Sequence, residues 1–298
     1  LTLDLVILDE AHYLGDADRG VVWEEVLIYL PGRVRLLLLS ATVSNATEVA
    51  AWLSHIRGAP CSVVQSEGRP VPLHALFRTP AGEVIPFFQG RRLFPSMVPF
   101  VKAQKHGKRG IESRPVDMNA IVEDLRSCRL LPAIFFLKSR SDCDRALRNL
   151  PPSPLSPQDD GFEESVRSHV EPYPELKNKD RIEELLVSRA GSHHAGQLPG
   201  WRLLIEKMMI QGHLDVIFAT STVAAGVNFP ARTVVLVQSD RFNGRGFVDM
   251  SATDIHQMTG RAGRRGMDKA GFIMVLPGRH MELSLVKELL VSPPEPLQ

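Results

Sequence analysis

The sequence lacks several features that would assign it to a class at once. It has 3 cysteines and no C-x-x-C pair, which argues against a disulfide scaffold and against a zinc site. No apolar run reaches the length of a membrane span, and the N-terminus has no basic segment followed by a signal-like apolar one. These absences favour a reducing compartment, and we expect a cytoplasmic protein, or a nuclear one if the organism is eukaryotic.

The chain also lacks a large net charge and a phosphate-binding loop. Its 35 basic and 34 acidic side chains leave a net charge of +1, so contacts to nucleic acid would have to come from local patches. The pattern G-x-x-x-x-G-K-S/T occurs nowhere. Because the chain also begins inside an apolar run, we expect a sequence that is cut within its own nucleotide site and is inactive alone.

The chain does contain a regular alternation of apolar runs and helical patterns. It has 298 residues, enough for about two domains, and 44% of them are hydrophobic. Near-continuous apolar runs, typical of strands buried on both faces of a parallel sheet, occupy 3–8, 34–39, 133–137, 216–219 and 234–237. Helical spacing occupies 21–30, 47–56, 181–187, 200–210 and 281–290. The alternation predicts an α/β fold with parallel sheets, interrupted by extended or hairpin pieces at 68–115 and a surface loop at 151–180.

Two acids, Asp9 and Glu10, directly follow the first apolar run. Ligands of open α/β sheets bind at the carboxyl ends of the strands, where an acid can hold Mg²⁺ through water. Asp9 is therefore the candidate magnesium residue, and Glu10 can deprotonate the water that attacks a γ-phosphate. The alternative is a strand-end aspartate that only caps the next helix.

A basic segment punctuated by glycines lies near the other end of the chain. It contains Gln257, Gly260, Arg261, Gly263 and Arg264. Arginine presents a rigid fork that suits phosphate oxygens, and two arginines three residues apart would face the same way on a helix. Arg261 and Arg264 are therefore the candidate catalytic arginines. The alternative, a basic helix that binds a phosphate backbone, does not explain the glycine spacing.

Polar loops follow two other predicted strands, 133–137 and 216–219. The loop residues that can contact nucleic-acid phosphates are Ser139, Arg140, Thr220 and Ser221. Ordinary surface loops would have the same composition. The adjacent pair His193 and His194 does not indicate a metal site, because neighbouring side chains in a strand point apart and no third ligand has suitable spacing.

In order along the chain, these segments resemble motifs II to VI of the superfamily-two DExH-box helicases. The matching segments are D-E-A-H at 9–12, S-A-T at 40–42, the loop after 133–137, the run 216–231 and the basic segment 257–264. D-E-A-H-Y followed by R-G-V-V-W-E-E at 19–25 is similar to the superkiller and exosome-cofactor RNA helicases. The resemblance implies two RecA-like parallel-sheet domains facing across a cleft. The expected boundaries are 1–75 for the first, incomplete at its N-terminus, 76–130 for an interdomain connection and 131–298 for the second.

The resemblance also implies roles for single residues. It places His12, Gly226, Asn228 and Gln257 beside the nucleotide together with Asp9. Ser40 and Thr42 would couple hydrolysis to strand movement, and H-H-A-G at 193–196 would lie against the nucleic-acid backbone through His194 and Gly196. The chain departs from the family pattern at Ser221, where an acid is usual, and at Gln197, where an apolar residue is usual.

The implied activity is ATP- and Mg²⁺-dependent movement along single-stranded RNA in the 3′ to 5′ direction, with duplex unwinding. Single-stranded or partly duplex RNA would be the substrate, and proteins of RNA processing or decay would be partners; no membrane partner is expected. Two alternatives stay open. One is a DNA-unwinding repair helicase of the same superfamily, against which R-G-V-V-W-E-E favours RNA. The other is a non-hydrolysing nucleic-acid-binding scaffold, against which the intact acids and arginines favour hydrolysis.

Overall fold

The computed structural model describes residues 3–15, 20–66, 68–105, 117–155, 161–221, 229 and 231–297. The chain forms two compact units. Unit 1 consists of Leu1–Arg69, Ser251–Gln257 and Ser292–Gln298, and unit 2 of Pro70–Met250 and Met258–Val291. Within the described ranges, none of the helices has the length and apolar character needed to cross a membrane.

Strands and helices alternate along much of the chain, which confirms the predicted α/β class. The strands are β1 (Leu5–Leu8), β2 (Arg35–Leu38), β3 (Leu73–Arg78), β4 (Val84–Pro86), β5 (Phe88–Gln89), β6 (Arg92–Leu93), β7 (Ala133–Leu137), β8 (Ala190–His193), β9 (Val216–Thr220), β10 (Thr233–Leu236), β11 (Asp240–Phe242), β12 (Phe247–Asp249) and β13 (Gly271–Val275). The helices are α1 (Gly20–Tyr29), α2 (Ala46–Arg57), α3 (Val98–Lys105), α4 (Met118–Ser127), α5 (Arg140–Arg148), α6 (Phe162–Val170), α7 (Lys179–Ser188), α8 (Pro199–Ile210), α9 (Ala252–Thr259) and α10 (Leu283–Leu289). The strands and helices predicted from apolar runs and helical spacing are all present, with ends displaced by about two residues at most.

Unit 1 is built on a parallel pair of strands, β1 and β2, in which Leu5 lies opposite Arg35. Side chains from both strands, α1 and α2 form a small core on one face of the pair, which includes Leu8, Leu14, Leu27, Leu36, Leu38 and Leu53. Arg57, the last residue of α2, donates to the carbonyl oxygens of Leu30 at 3.1 Å and Val34 at 2.7 Å. These bonds tie α2 to the chain between α1 and β2, where carbonyl groups at a helix end otherwise lack partners.

The opposite face of β1 and β2 is exposed, which corrects the prediction that both strands are buried on both faces. Leu5, Ile7 and Leu37 remain 47%, 54% and 43% exposed. Successive side chains of a strand point to opposite faces, and in the described part of unit 1 the helices cover one face only. The apolar side chains on one face of β1 and β2 are therefore buried under the helices, whereas those on the other face are not covered in the described part of unit 1.

Unit 2 is built on a seven-stranded sheet in the order β4-β3-β13-β10-β7-β9-β8. Six strands are parallel, and β4 joins the edge antiparallel to β3. All residues of β7, β9 and β10 are buried, as predicted for strands that are covered on both faces, and so are those of β8, which was not predicted. On one face α4 and α5 pack against Phe135 and Phe218, whose ring centroids are 5.2 Å apart. On the other face, a Cβ added to Gly191 would lie 2.6 Å from Ile205 Cδ1, so α8 packs closely on β8.

The parallel strands give this sheet two different edges. At the edge that we call the C-terminal edge, β7, β9 and β8 end side by side at Leu137, Thr220 and His193. At the edge that we call the N-terminal edge, β3, β13 and β10 begin side by side. Because a five-residue strand is about 16 Å long, side chains at one edge do not touch those at the other.

Residues 76–130, predicted to form an interdomain connection, contribute to the body of unit 2. β3 pairs with β13, and β4 extends the sheet beyond β3. β5 and β6 form a hairpin, and α4 buries Ile121, Val122 and Leu125 in the core. The extended or hairpin pieces expected at 68–115 are therefore present as β3 to β6, whereas the helices α3 and α4 were not predicted.

The proline-rich segment 151–180 contains a helix that its composition does not predict. α6 buries Phe162, Val166 and Val170, which recur at every fourth position. The ring of Phe162 stacks on His213 with a centroid separation of 5.2 Å. The prediction of a surface loop throughout this segment is therefore wrong, because the prolines precede a stretch with helical apolar spacing.

Candidate functional site

The predicted acids lie at the end of β1 in a tight turn. Glu10 has a positive φ of 55°, and its N–H donates to Asp9 Oδ1 at 2.9 Å. The next N–H, of Ala11, donates to the carbonyl oxygen of Leu39 at 2.9 Å, which attaches the turn to the end of β2. Residues other than glycine rarely adopt positive φ, and such strained positions cluster at functional sites. The turn therefore holds both carboxylates at the carboxyl end of a parallel strand.

A histidine supports Glu10. His12 Nδ1 lies 3.3 Å from Glu10 Oε2, and the His12 side chain is 7% exposed while that of Glu10 is 34% exposed. The His12 ring also lies against Tyr13, with ring centroids 4.5 Å apart. The Glu10 carboxylate is thus in contact with an imidazole and remains accessible to water, as a general base must be.

The S-A-T segment lies on the same edge of unit 1. The N–H of Leu39 donates to the carbonyl oxygen of Leu8 at 2.9 Å, so the ends of β1 and β2 are adjacent. The N–H of Thr42 donates to Ser40 Oγ at 3.3 Å. Ser40 is exposed, whereas Thr42 is 6% exposed. The structure therefore brings the predicted coupling residues and the predicted acids together.

The donors at this edge fit a magnesium ion bound through water. Asp9 is exposed, and in the described ranges no group of three or more His, Cys, Asp or Glu side chains is arranged to hold a metal. Mg²⁺ usually keeps several waters and takes one or two carboxylates together with substrate phosphates. One accessible carboxylate therefore suits an ion that enters with a nucleotide better than an ion held by protein ligands alone.

The predicted nucleic-acid residues of unit 2 gather at its C-terminal edge. Ser139 and Arg140 follow β7, His194 and Gly196 follow β8, and Thr220 and Ser221 lie at the end of β9. Ser139 Oγ accepts the N–H of Asp142 at 3.1 Å and so caps α5. Arg140 is exposed, and its Cδ lies 3.2 Å from the position that a Cβ on Gly196 would occupy. Gly196 and Arg140 therefore form an accessible pair at this edge.

His194 differs from this expectation because its side chain is 5% exposed and is held by other side chains. Its Nε2 lies 3.1 Å from Asp144 Oδ1, and its Nδ1 accepts the N–H of Gly196 at 3.2 Å. Asp144 also accepts Ser192 Oγ at 2.8 Å and Gln197 Nε2 at 3.2 Å. His194 therefore shapes the backbone at Gly196, and a direct contact of its ring with nucleic acid is not supported by this conformation.

The adjacent histidines point apart, as predicted from their positions on a strand. His193 Nε2 lies 2.7 Å from Glu206 Oε1 of α8, on the face opposite to Asp144. Burial lowers the pKa of His193, although Glu206 opposes this effect. The two rings therefore serve two separate carboxylates and share no common ligand position.

A short hairpin at the C-terminal edge was not recognised in the sequence. β11 and β12 pair antiparallel, with Phe242 and Phe247 exposed and their ring centroids 5.4 Å apart. Lys138 Nζ lies 3.8 Å from the centroid of Phe247 and 2.6 Å from Asp240 Oδ2. The dipeptide Asn-Gly at 243–244 between two phenylalanines is a hairpin signal that predicts this element.

Arg261 and Arg264 lie at the N-terminal edge of unit 2 and not on a helix, which corrects the prediction that they share a helical face. α9 ends at Thr259. The N–H of Ala231, just before β10, donates to the carbonyl oxygen of Arg261 at 3.0 Å, and the N–H of Gly263 donates back to Ala231 at 2.7 Å. The two arginines therefore belong to a loop of successive turns that is bound to the chain just before β10.

The glycines of this loop are required by close backbone approach. Gly263 has a φ of +85°, and a Cβ there would lie 2.6 Å from Val71 Cγ1. A Cβ on Gly271, the first residue of β13, would lie 2.6 Å from the nitrogen of Gly263. Only residues without side chains fit at these two positions, which explains Gly263, one of the glycines that the basic-helix alternative leaves unexplained.

Asp268 is a residue of this edge that sequence reasoning missed. Its carboxylate accepts the backbone N–H, Nε and Nη2 of Arg264 at 2.9, 2.8 and 2.9 Å. It also accepts Nε of Arg232 at 2.9 Å. Burial alone would raise the pKa of Asp268, but the hydrogen bonds from Arg264 and Arg232 outweigh it and lower the pKa to about 2. The signal in the sequence is an acid four residues after a candidate catalytic arginine.

Gln257 is half-buried on α9, and the first turn of this helix is capped from the C-terminal segment. Glu295 Oε1 accepts the N–H of Ala252 at 2.7 Å, and Oε2 accepts that of Thr253 at 2.8 Å. These bonds satisfy N–H groups that have no partner within a helix. Two further predicted nucleotide residues, Gly226 and Asn228, lie outside the described residues.

Comparison with known proteins gives two matching family descriptions. Residues 2–49 match "DEAD/DEAH box helicase", and residues 175–266 match "Helicase conserved C-terminal domain". The first range contains the acids at the end of β1 and the S-A-T segment, and the second contains both arginines and the end of β9.

Relatives match along almost the whole chain. The chain is 32% identical to "Exosome RNA helicase MTR4" of Homo sapiens over 98% of its own length and 30% of the relative. It is 35% identical to "Superkiller complex protein 2" of Mus musculus, covering 99% of the chain and 26% of the relative. It is also 35% identical to "Probable helicase HelY" of Mycobacterium tuberculosis, covering 99% of the chain and 36% of the relative. The chain thus spans about a third or less of the length of these curated relatives.

Proposed function

Because the chain belongs to the superfamily-two DExH-box helicases of the superkiller and exosome-cofactor type, we propose that it forms part of an ATP-dependent RNA helicase. The observation that carries the proposal is the turn at Asp9 and Glu10, which holds two carboxylates and the S-A-T segment at the carboxyl edge of a parallel pair. A parallel strand that ends in an acid pair is the arrangement that binds a magnesium-nucleotide and activates water. Two RecA-like domains, of which unit 2 is the second, are part of this proposal.

In the proposed mechanism, the acids of unit 1 and the arginines of unit 2 perform different parts of the chemistry. Asp9 would hold Mg²⁺, which would neutralise charge on the phosphates, while Glu10, in contact with His12, removes a proton from the water that attacks the γ-phosphate. Arg261 and Arg264 stabilise the charge that develops on that phosphate. Gln257 lies beside the nucleotide, a role that the family resemblance also assigns to Gly226 and Asn228, and Ser40 and Thr42 relay the state of the nucleotide toward the nucleic acid. ATP and Mg²⁺ are thus the cofactors that the residues suit.

The proposed substrate is single-stranded or partly duplex RNA, which contacts the C-terminal edge of unit 2 and along which the protein moves in the 3′ to 5′ direction. Arg140 and Gly196 are accessible there, and Ser139, Thr220 and Ser221 end neighbouring strands. Contacts of this kind reach phosphates rather than base edges, so binding should depend weakly on sequence and fall with salt. RNA processing or decay in the cytoplasm or nucleus, with partner proteins of that process, completes the proposal. DNA is the alternative substrate, and the relatives named as RNA helicases favour RNA.

The test is RNA-stimulated ATP hydrolysis by the 298-residue chain and by a version extended at its N-terminus through a G-x-x-x-x-G-K-S/T loop. We expect turnover only in the extended version, because the loop supplies the main cradle for the β- and γ-phosphates. RNA should stimulate more strongly than DNA of the same sequence. Equal stimulation by DNA would favour the DNA alternative, and nucleotide binding without turnover in either version would favour the non-hydrolysing scaffold.

A matched pair of variants identifies the site. In the extended version, Arg261→Ala should lower the rate of hydrolysis by about 10³-fold or more, the usual contribution of an arginine that meets the transferred phosphate. Arg167→Ala is the control, because Arg167 is 73% exposed and pairs with Glu163 on the surface of α6. Turnover that survives in Arg261→Ala at the level of the control would contradict the assignment of this arginine.

A further inference from the structure

The Asp268 carboxylate is one of the most completely bonded charged groups in the described part of the chain. Its side chain is 1% exposed, and it accepts four hydrogen bonds, three from Arg264 and one from Arg232. A buried carboxylate without partners would cost several kcal/mol, so its position depends on these donors. The bonds to Nε and Nη2 of Arg264 form a bidentate pair, the geometry that fixes a guanidinium plane most firmly.

This pairing leaves one end of the Arg264 guanidinium uncommitted. Nε and Nη2 both donate to Asp268, while Nη1 has no hydrogen-bond partner among the described residues. The Arg264 side chain is 14% exposed, so the guanidinium still reaches solvent. A fixed plane with one free nitrogen is a group that can meet a phosphate oxygen without first losing rotational freedom.

Arg232 anchors the same carboxylate to the body of unit 2. Its Nε donates to Asp268 at 2.9 Å, and its Nη1 donates to the carbonyl oxygen of Arg129 at 2.7 Å. Arg129 follows α4, and Arg232 directly precedes β10. Arg232 therefore links Asp268 to two further elements of the fold, while three of the four bonds to the carboxylate come from Arg264 itself.

We propose that Asp268 is a positioning residue that holds the guanidinium of Arg264 in the orientation needed at the γ-phosphate. This inference rests on the proposed function, and it assigns to Asp268 a task in the reaction beyond stabilising the loop. Asp268 does not touch the nucleotide in this scheme. It acts through Arg264, in the way that a carboxylate behind a catalytic side chain fixes its direction.

The first variant is Asp268→Asn in the extended, hydrolysing version of the protein. The amide keeps the size of the carboxylate but replaces one acceptor oxygen with a donor group, so it cannot receive both Nε and Nη2. We expect kcat for RNA-stimulated hydrolysis to fall by about 10- to 100-fold, the scale of a catalytic group displaced by about 1 Å. KM for ATP should change by less than about threefold, because an orientation needed in the transition state affects kcat first.

The matched control is Arg232→Gln, which removes the other donor to Asp268 and leaves the pair with Arg264 intact. Arg232→Gln should lower thermal stability by about as much as Asp268→Asn does, but it should keep kcat within about threefold of the parent. The second control is the double variant Asp268→Asn with Arg264→Ala. If Asp268 acts through Arg264, the double variant should be no slower than Arg264→Ala alone, because the interaction is already absent.

A second readout does not depend on turnover. In nitrogen–proton correlation spectra of the labelled protein, the Nε–H of Arg264 should exchange slowly with water in the parent and in Arg232→Gln. It should exchange rapidly in Asp268→Asn. Arg264→Ala identifies the signal by its absence.

These outcomes separate the inference from the proposed function. If the extended parent hydrolyses ATP but Asp268→Asn keeps its kcat or exceeds the parent, the inference is overturned. It is also overturned if kcat falls in parallel with stability in both Asp268→Asn and Arg232→Gln, or if the double variant is slower than Arg264→Ala. If the parent does not hydrolyse ATP, the proposed function fails, and an Arg264 Nε–H that exchanges equally fast with and without Asp268 would still overturn the fixed orientation.

Discussion

The two edges of the sheet in unit 2 are each organised around one aspartate, yet the two carboxylates have different partners. At the N-terminal edge, Asp268 is 1% exposed and is bonded by two guanidinium groups. At the C-terminal edge, Asp144 is 36% exposed and accepts a hydroxyl, an imidazole and an amide. The more deeply buried carboxylate has the fully charged partners, because burial is tolerated only where opposite charge compensates for lost hydration.

The difference indicates how each edge can respond to a ligand. The N-terminal edge holds an arginine in one orientation, as stabilisation of a phosphate requires. The C-terminal edge holds a backbone segment around Gly196 through the His194 imidazole, which is bonded to Asp144, a carboxylate that is partly open to water. Since about 16 Å of strand separates the edges, changes at one edge should add to changes at the other.

The largest expected effect on stability comes from a change in the core of the sheet, which supports both edges. Phe135 lies in the middle of β7, is fully buried, and packs on Phe218. Phe135→Ala should lower the free energy of unfolding of unit 2 by about 3–5 kcal/mol, the usual cost of an unfilled aromatic position. Urea denaturation measures this, and Phe242→Ala, on the exposed hairpin, should cost less than about 1 kcal/mol. Equal losses in the two variants would contradict the assignment of the core.

The dependence of stability on pH should distinguish the two edges, because their titratable groups change protonation state in different pH ranges. The pKa of Asp268 is lowered from 3.8 to about 2, so its charged form is favoured in the folded state. Its contribution, of the order of 2 kcal/mol, is present above about pH 4 and is lost as the pH falls toward about 2. Urea denaturation at a series of pH values should show this loss in the parent but not in Asp268→Asn.

The protonation of His193, the last residue of β8 at the C-terminal edge, should affect stability at higher pH than that of Asp268. Burial lowers its pKa below the ordinary value of 6.5, so the folded protein keeps the ring neutral while the unfolded chain takes up a proton. Stability should therefore decrease as the pH falls below about 6.5. The variant His193→Gln should show a smaller decrease between about pH 7.5 and 5. An unchanged dependence would mean that other histidines account for it.

A smaller effect is expected from Asp144→Asn at the C-terminal edge. All three donors bond to Oδ1 of Asp144. The amide keeps this oxygen but loses the negative charge that strengthens the three bonds, so the free energy of unfolding should fall by about 1–2 kcal/mol. Because the segment at Gly196 loses its support, affinity for single-stranded RNA should fall about threefold to tenfold. Glu163→Gln, which breaks a surface pair on α6, should change stability by less than about 0.5 kcal/mol and leave RNA affinity unchanged. A loss of stability without a change in affinity would remove Gly196 from the proposed RNA path.

The smallest effect is expected from Gln197→Leu, which restores the apolar residue usual in the family. Gln197 is partly exposed and donates to Asp144 at 3.2 Å and to Ser192 at 2.7 Å, while its Oε1 accepts Arg181. Water can replace these bonds, so stability should change by less than about 1 kcal/mol. A loss above about 2 kcal/mol, measured by urea denaturation, would show that the network at Asp144 depends on this amide.

Most of the secondary structure could be predicted because it follows from local pattern. The apolar runs at β7 and β9 and the helical spacing at α8 appear in the sequence and in the structure with nearly the same ends. At α6 the prediction was wrong because the prolines of the segment drew attention away from the helical spacing of its apolar residues. At Arg261 and Arg264 it was wrong because their spacing suggested a helix, which ends before both residues. The roles of the site residues stay predictions until the variants above are measured.

The sequence by itself determined the α/β class, the order of the motifs and the residue types at each strand end, because these depend on neighbours along the chain. Only the tertiary structure decided that Asp268 holds Arg264, that the His194 ring is buried against Asp144, and that one face of β1 and β2 is exposed. Each of these depends on what packs from distant parts of the chain, and burial and hydrogen bonding between distant residues leave no periodic signal in the sequence.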